Sequence, residues 1–125
     1  MIVRGTTPYH KFVVPMSSQD IDTIYITYLQ NGEIVLDKTG EDVSVEDVDI
    51  ETENAHMEDY EIEPSESSQV TLHLTQEDTL KFKFYPAAEK NIAVIQLRIL
   101  TSEGEAYASD PIRERIFGVL KEGEI

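Results

Sequence analysis

Asn31-Gly32 joins two short extended-looking segments, residues 23–30 and 33–38. The dipeptide supplies two backbone positions at positive φ, the requirement of a tight two-residue turn whose twist matches that of paired strands. Before it, Ile24-Tyr25-Ile26-Thr27-Tyr28-Leu29 is rich in β-branched and aromatic residues and too short for an ordinary helix. After it, Ile34 and Leu36 alternate with Glu33 and Asp37. An antiparallel hairpin follows, and the rest of the chain must fit around it.

Other segments repeat the pattern. Tyr9-His10-Lys11-Phe12-Val13-Val14 has strand composition; Val70, Leu72 and Leu74 alternate with Thr71, His73 and Thr75; Ala93, Ile95, Leu97 and Ile99 share one face while Gln96 and Arg98 take the other. Thr75-Gln76-Glu77-Asp78 resembles a helix cap and predicts a single helical turn connecting two sheets. Ser102-Glu103-Gly104-Glu105 predicts a second hairpin turn, leading into residues 106–109. Pro111 breaks the pairing, and residues 112–120 resume an extended pattern with Gly118 as a bulge. About eight short strands without helical periodicity predict an all-β fold: an antiparallel, immunoglobulin-like β-sandwich with one short helical turn. At 125 residues the chain buries roughly two-thirds of its unfolded surface, enough for one core, so residues 1–125 are expected to form a single domain.

The formal charge of −15 is unevenly placed. Residues 41–66 hold 12 of the 25 acidic side chains and no Lys or Arg, which leaves 10 − 13 = −3 for everything else. A nearly balanced domain therefore carries an acidic insert, residues 41–68. Within it, residues 43–50 alternate apolar and polar with a phase shift between Val45 and Val48, the pattern of a bulged edge strand whose charges discourage sheet-to-sheet pairing. From residue 51 onward the apolar residues are sparse, and Pro64 with the serines after it closes the stretch, so a long solvated loop is expected. The 40% hydrophobic content argues against disorder of the whole chain. No apolar run approaches the roughly 20 residues of a membrane span, and no signal-peptide core follows Met1-Ile2-Val3-Arg4-Gly5, so the chain reads as soluble and unprocessed.

Catalytic constellations are not visible. Without Cys there is no disulfide framework, thiolate metal site or cysteine nucleophile. His10, His56 and His73 lack the spacing of a zinc site, and His73 is expected to face solvent opposite Leu72 and Leu74. Asp47-Val48-Asp49 offers carboxylates, but the insert lacks the spacing and central glycine of a calcium-binding EF-hand loop, so neither metal nor cofactor is expected. No nucleophile elbow or phosphate-cradling glycine loop occurs, and a non-enzymatic protein is expected. Tyr25, Tyr28, Tyr60, Tyr85 and Tyr107 make a binding surface only if several cluster. A charge of −15 opposes direct binding to nucleic acid or to anionic membranes.

Five segments carry a wider likeness: Arg4-Gly5-Thr6-Thr7-Pro8, Tyr28-Leu29-Gln30-Asn31-Gly32-Glu33-Ile34-Val35-Leu36-Asp37-Lys38, Leu74-Thr75-Gln76-Glu77-Asp78-Thr79-Leu80, Val94-Ile95-Gln96-Leu97-Arg98, and Val119-Leu120-Lys121-Glu122-Gly123-Glu124-Ile125. Together they resemble small proteins encoded by phages and prophages of gut Firmicutes, virion components associated with tail or baseplate genes. The likeness covers nearly the whole chain outside the acidic insert, which shorter members lack, and it brings no catalytic residues. It implies a structural or assembly module of a tail, baseplate or neck. Such a module acts through contacts with other phage structural proteins, forms homo-oligomers in a particle, and is found in the virion after assembly in the host cytoplasm. Its ends, Thr6-Thr7-Pro8 and Gly123-Glu124-Ile125, are expected to dock on neighbouring subunits. The insert suggests an alternative, an acidic inhibitor that imitates nucleic acid and blocks a host nuclease or CRISPR effector. In either case the expected partner-binding residues are Glu46, Asp47, Asp49, Glu51, Glu53, Glu58 and Asp59.

Overall fold

A computed structural model describes residues 1–48, 67–86, 91–119 and 121–125. In chain order the strands are β1 (Ile2–Val3), β2 (Tyr9–Val14), β3 (Ile21–Gln30), β4 (Glu33–Thr39), β5 (Val43–Asp47), β6 (Ser68–His73), β7 (Ile92–Thr101), β8 (Ala106–Ala108) and β9 (Ile112–Phe117). A single helical turn, α1 (Gln76–Leu80), lies between β6 and β7. The strands form two sheets. The larger has the order β1-β9-β7-β3-β4, with β8 also paired to β7, and the smaller has the order β2-β6-β5.

The hairpin forms where the sequence places it. Asn31 and Gly32 have φ of 54° and 80°, so Gln30 pairs with Glu33 across the turn. One detail differs. The register shifts after Tyr28, which pairs with Leu36, while Leu29 pairs with Ile34. Val35 is the extra residue of this bulge, and the simple alternation of Ile34 with Leu36 is lost: Leu36 is 4% exposed, Ile34 66%.

In the long strand β7, Ala93, Ile95, Leu97 and Ile99 are all buried, as their alternation predicts. Its two neighbours on one edge are really one interrupted strand: β9 pairs with Ile92–Ile95 and β8 with Arg98–Leu100. Between them, Ser109 repairs the gap left at Pro111. Its N–H donates to Leu97 O at 2.9 Å, and its hydroxyl accepts from Leu97 N at 3.0 Å.

Three expectations need correction. The larger sheet is mixed, because β1 pairs parallel with β9, Ile2 opposite Ile116 and Val3 opposite Phe117. A strand entering beside the last strand needs no hairpin, so antiparallel pairing is not imposed on it. Second, β5 is an edge strand but carries no bulge: Val43 to Asp47 pair residue by residue with Leu72 to Ser68. The phase shift falls where the strand ends, at Val48, whose N–H still donates to Ser67 O at 3.0 Å. Third, Gly118 lies beyond β9 and is not a bulge. A Cβ there would sit 2.8 Å from Phe84 Cδ2, so glycine is required by the ring packed against it.

Both sheets contribute to one buried cluster. Phe12, Val14, Val70 and Leu72 come from the smaller sheet; Ile24, Ile26, Tyr28, Leu36, Ile95, Leu97 and Ile116 come from the larger. Thr75 caps α1 as its sequence suggests: its hydroxyl accepts from Asp78 N, and the Asp78 carboxylate accepts from Thr75 N. The opposite side of the Asp78 carboxylate holds Lys38 Nζ at 3.0 Å.

The helical turn also fastens both chain ends. Arg4 Nε donates to Phe82 O at 2.7 Å, Thr79 Oγ1 donates to Thr6 O and accepts from Gly5 N, both at 2.9 Å, and Arg4 pairs with Glu122. Ile125 N donates to Gln76 Oε1 at 3.3 Å. The segments expected to dock on neighbours are thus tied to this chain's own helix. Residues 4–6, 76–82 and 122–125 thus meet at one place in the fold.

Candidate interaction surface

At the other end, the 3-10 turn Ser18–Asp20 between β2 and β3 sits between the two sheets. On one side, Ser18 N donates to Asp47 Oδ1 at 2.8 Å, and Ser68 Oγ donates to Met16 O at 2.9 Å. On the other, Ser102 N donates to Asp20 O at 2.9 Å and Ser102 Oγ to Gln19 O at 3.2 Å. The turn therefore locks the end of β5 and the start of β6 against the β7–β8 turn.

Of the expected partner-binding residues, Asp47 is exposed at the end of β5 and bonded to this turn. Hydrogen bonds from Ser18, and secondarily Ser17, hold its carboxyl below the ordinary aspartate value. Glu46 is exposed on β5 opposite Gln69. Asp49, Glu51, Glu53, Glu58 and Asp59, like the loop reading of residues 51–66, lie outside the described residues.

Beside the Ser18–Asp20 turn a cleft of about 520 Å³ opens between the end of β2 and the β7–β8 hairpin. Val14, Leu97 and Ile99 give it an apolar floor, and Asp20, Glu103 and Glu105 stand among its lining, with no Lys or Arg among the described residues there. Tyr107 borders it, half exposed, with its hydroxyl donating to Glu105; that bond raises the phenol pKa. Sequence reasoning did not single out this site because its parts come from three separated segments. The available signal was the stub Ala106-Tyr107-Ala108, cut short by Pro111, with an aromatic residue too large for so brief an edge strand to bury.

The tyrosines do not cluster. Tyr28 is fully buried, Tyr25, Tyr85 and Tyr107 are exposed on different elements, and Tyr60 lies outside the described residues. Tyr28 OH meets His10 Nδ1 at 2.6 Å, and burial raises the tyrosine pKa, with Glu114 and Asp78 adding to it. Burial lowers the pKa of His10, partly opposed by Glu114. His73 is exposed, as expected, and stacks on Tyr9 with ring centroids 3.9 Å apart. No three His, Asp or Glu side chains among the described residues are grouped to hold a metal ion, and no helix among them is long and apolar enough to cross a membrane. Comparison of the chain with known protein families, with curated proteins and with solved structures gives no match.

Proposed function

We propose that this chain is a non-enzymatic protein–protein interaction module of a phage particle, built as an immunoglobulin-like β-sandwich. The strand orders support the fold assignment. β2-β6-β5 facing β9-β7-β3-β4 corresponds to strands B-E-D facing G-F-C-C′ of immunoglobulin-like domains. The conserved cysteine pair and tryptophan of antibody domains have no counterpart, since the chain has neither residue. Tyr28, edge-on to Phe82 with centroids 5.9 Å apart, fills the core in their place.

One observation carries the interaction reading. The apolar cleft, the Ser18–Asp20 turn and the root of the acidic insert share one end of the domain. Exposed apolar floor beside concentrated charge suits capture of a polypeptide, with charge steering the encounter and apolar contact slowing release. The opposite end is occupied by the chain's own clasp of residues 4–8, α1 and the tail.

The phage context rests on the sequence likeness and has a direct test. Mass spectrometry of gradient-purified virions should detect the protein at a fixed ratio to a major tail protein. Its absence from particles, with the protein abundant in the infected-cell lysate, refutes the virion assignment.

A further inference from the structure

The smaller sheet is too narrow for the sheet it faces. Tyr107 pairs with Ile99, so the two side chains leave the sheet on the same face. Ile99 is 6% exposed and Tyr107 50%. Among the described residues the inner face of β8 therefore has no second layer above it, and the cleft is that uncovered strip of core. Across the cleft, β2 ends the smaller sheet. Leu74 N donates to Pro8 O at 3.0 Å, which makes Pro8–Leu74 a bonded pair of the β2–β6 ladder. Bonded and non-bonded pairs alternate in an antiparallel ladder, so His10, Phe12 and Val14 bond to β6. The N–H and C=O groups of Tyr9, Lys11 and Val13 turn outward, unpaired by this sheet.

We propose that a strand from a partner protein, alternating apolar with Lys or Arg side chains, adds to the free edge of β2 and roofs the cleft. This deepens the interaction reading above and rests on it. The backbone of Tyr9, Lys11 and Val13 supplies the ladder, the mode of recognition in which an extended segment extends an existing sheet. Apolar side chains on the inner face of the added strand cover Leu97, Ile99 and Tyr107. Cationic side chains near the rim meet Asp20, Glu103 and Glu105. Charge selects the occupant: a second copy brings another −15 to a cleft lined by three carboxylates and, among the described residues, no cation, whereas a basic strand is attracted to it. Lys11 stands on the outer face, which the alternate, cationic side chains of the added strand share; that exposed like-charge contact is screened by solvent and salt.

The probe is a soluble synthetic peptide of alternating Val and Lys, titrated into the full-length protein and followed by amide NMR shifts and calorimetry. A Val and Glu peptide of the same length is the control. The Val and Lys peptide should bind with shifts confined to β2, β8 and the Ser102–Glu105 turn, and the control should not bind. Val13→Pro removes one outward N–H without touching the β6 ladder and should weaken binding by about tenfold. The double variant Glu103→Lys, Glu105→Lys, on exposed turn residues, should reverse the preference between the two peptides. Binding unaffected by Val13→Pro, shifts elsewhere on the surface, or equal affinity for both peptides overturns the proposal. So does concentration-dependent self-association that Val13→Pro abolishes, since the occupant would then be a second copy. These results leave virion incorporation to its own assay, so the two readings fail separately.

Discussion

Thr79 is the most informative single position in the clasp. It is fully buried, and its hydroxyl stands between the α1 turn and the β1–β2 connection, accepting from Gly5 N and donating to Thr6 O, both at 2.9 Å. Valine has nearly the same shape, so Thr79→Val removes these bonds without opening a cavity. Each intramolecular bond contributes about 1 kcal/mol net, and a partly buried N–H left without an acceptor costs about 1–3 kcal/mol. Gly5 N–H is stranded outright, while Thr6 O loses one donor. The expected loss is about 2–3 kcal/mol. For a domain of this size that lowers the melting temperature by about 6–12 °C. Thr79→Ser is the matched control: it keeps the hydroxyl and deletes one buried methyl, costing about 1 kcal/mol. Urea unfolding at neutral pH should rank wild type above Ser and Ser above Val. Hydrogen exchange should show the Arg4 and Thr6 amides less protected in the valine variant than β7, because β1 is anchored partly through this clasp. If Thr79→Val matches or exceeds Thr79→Ser in stability, the hydroxyl does not hold the first strand, and the account of the chain ends is wrong.

Burial lowers the His10 pKa below its ordinary 6.5, so as pH falls through that value the unfolded chain takes up a proton that the folded ring resists. Stability contributed by neutral His10 is full above about pH 6.5 and falls below it until the folded pKa is reached; the urea midpoint should decline as pH drops below about 6.5, and His10→Gln should flatten that slope. A slope unchanged in the variant assigns the pH dependence to other groups. Gly118→Ala should cost about 1–3 kcal/mol by pushing against the Phe84 ring, whereas Gly32→Ala, with open space around it but φ of 80°, should cost about 1 kcal/mol through backbone strain alone. Combining Gly118→Ala with Phe84→Leu should recover part of the first loss and none of the second, as read from thermal melts.

Local chemistry made much of this fold legible. The Asn31-Gly32 turn, the Thr75–Asp78 cap and the β7 alternation each act over a few residues, and each appears where those residues require it. What escaped was decided by relations across the chain. The bulge at Val35 moves Ile34 outward although Ile34 alternates perfectly with Leu36, because register depends on both strands and not on one. Gly118 reads as a bulge in isolation; only the approach of Phe84 from a distant segment explains it. Asp47 looks like one more member of an acidic run, yet its carboxylate caps a turn some thirty residues away in sequence.

That last case separates the charge into two physical kinds. Asp47 and Asp78 are acidic residues that the fold uses: each accepts from backbone N–H groups, and each is held below the ordinary carboxyl pKa despite opposing desolvation, which for Asp78 is the largest single influence. The Asp78 carboxylate, nearly buried, acts over hydrogen-bond distance and is little affected by salt. Asp20, Glu103 and Glu105 border an apolar cleft without a cation among its described lining. Their field reaches outward by about a Debye length, roughly 8 Å at physiological ionic strength. Raising the salt should therefore slow association with the proposed basic strand while leaving the two sheets intact, because the buried cluster joining them is apolar. The carboxylates bonded within the fold, Asp47 and Asp78, are thus different ones from Asp20, Glu103 and Glu105 at the cleft.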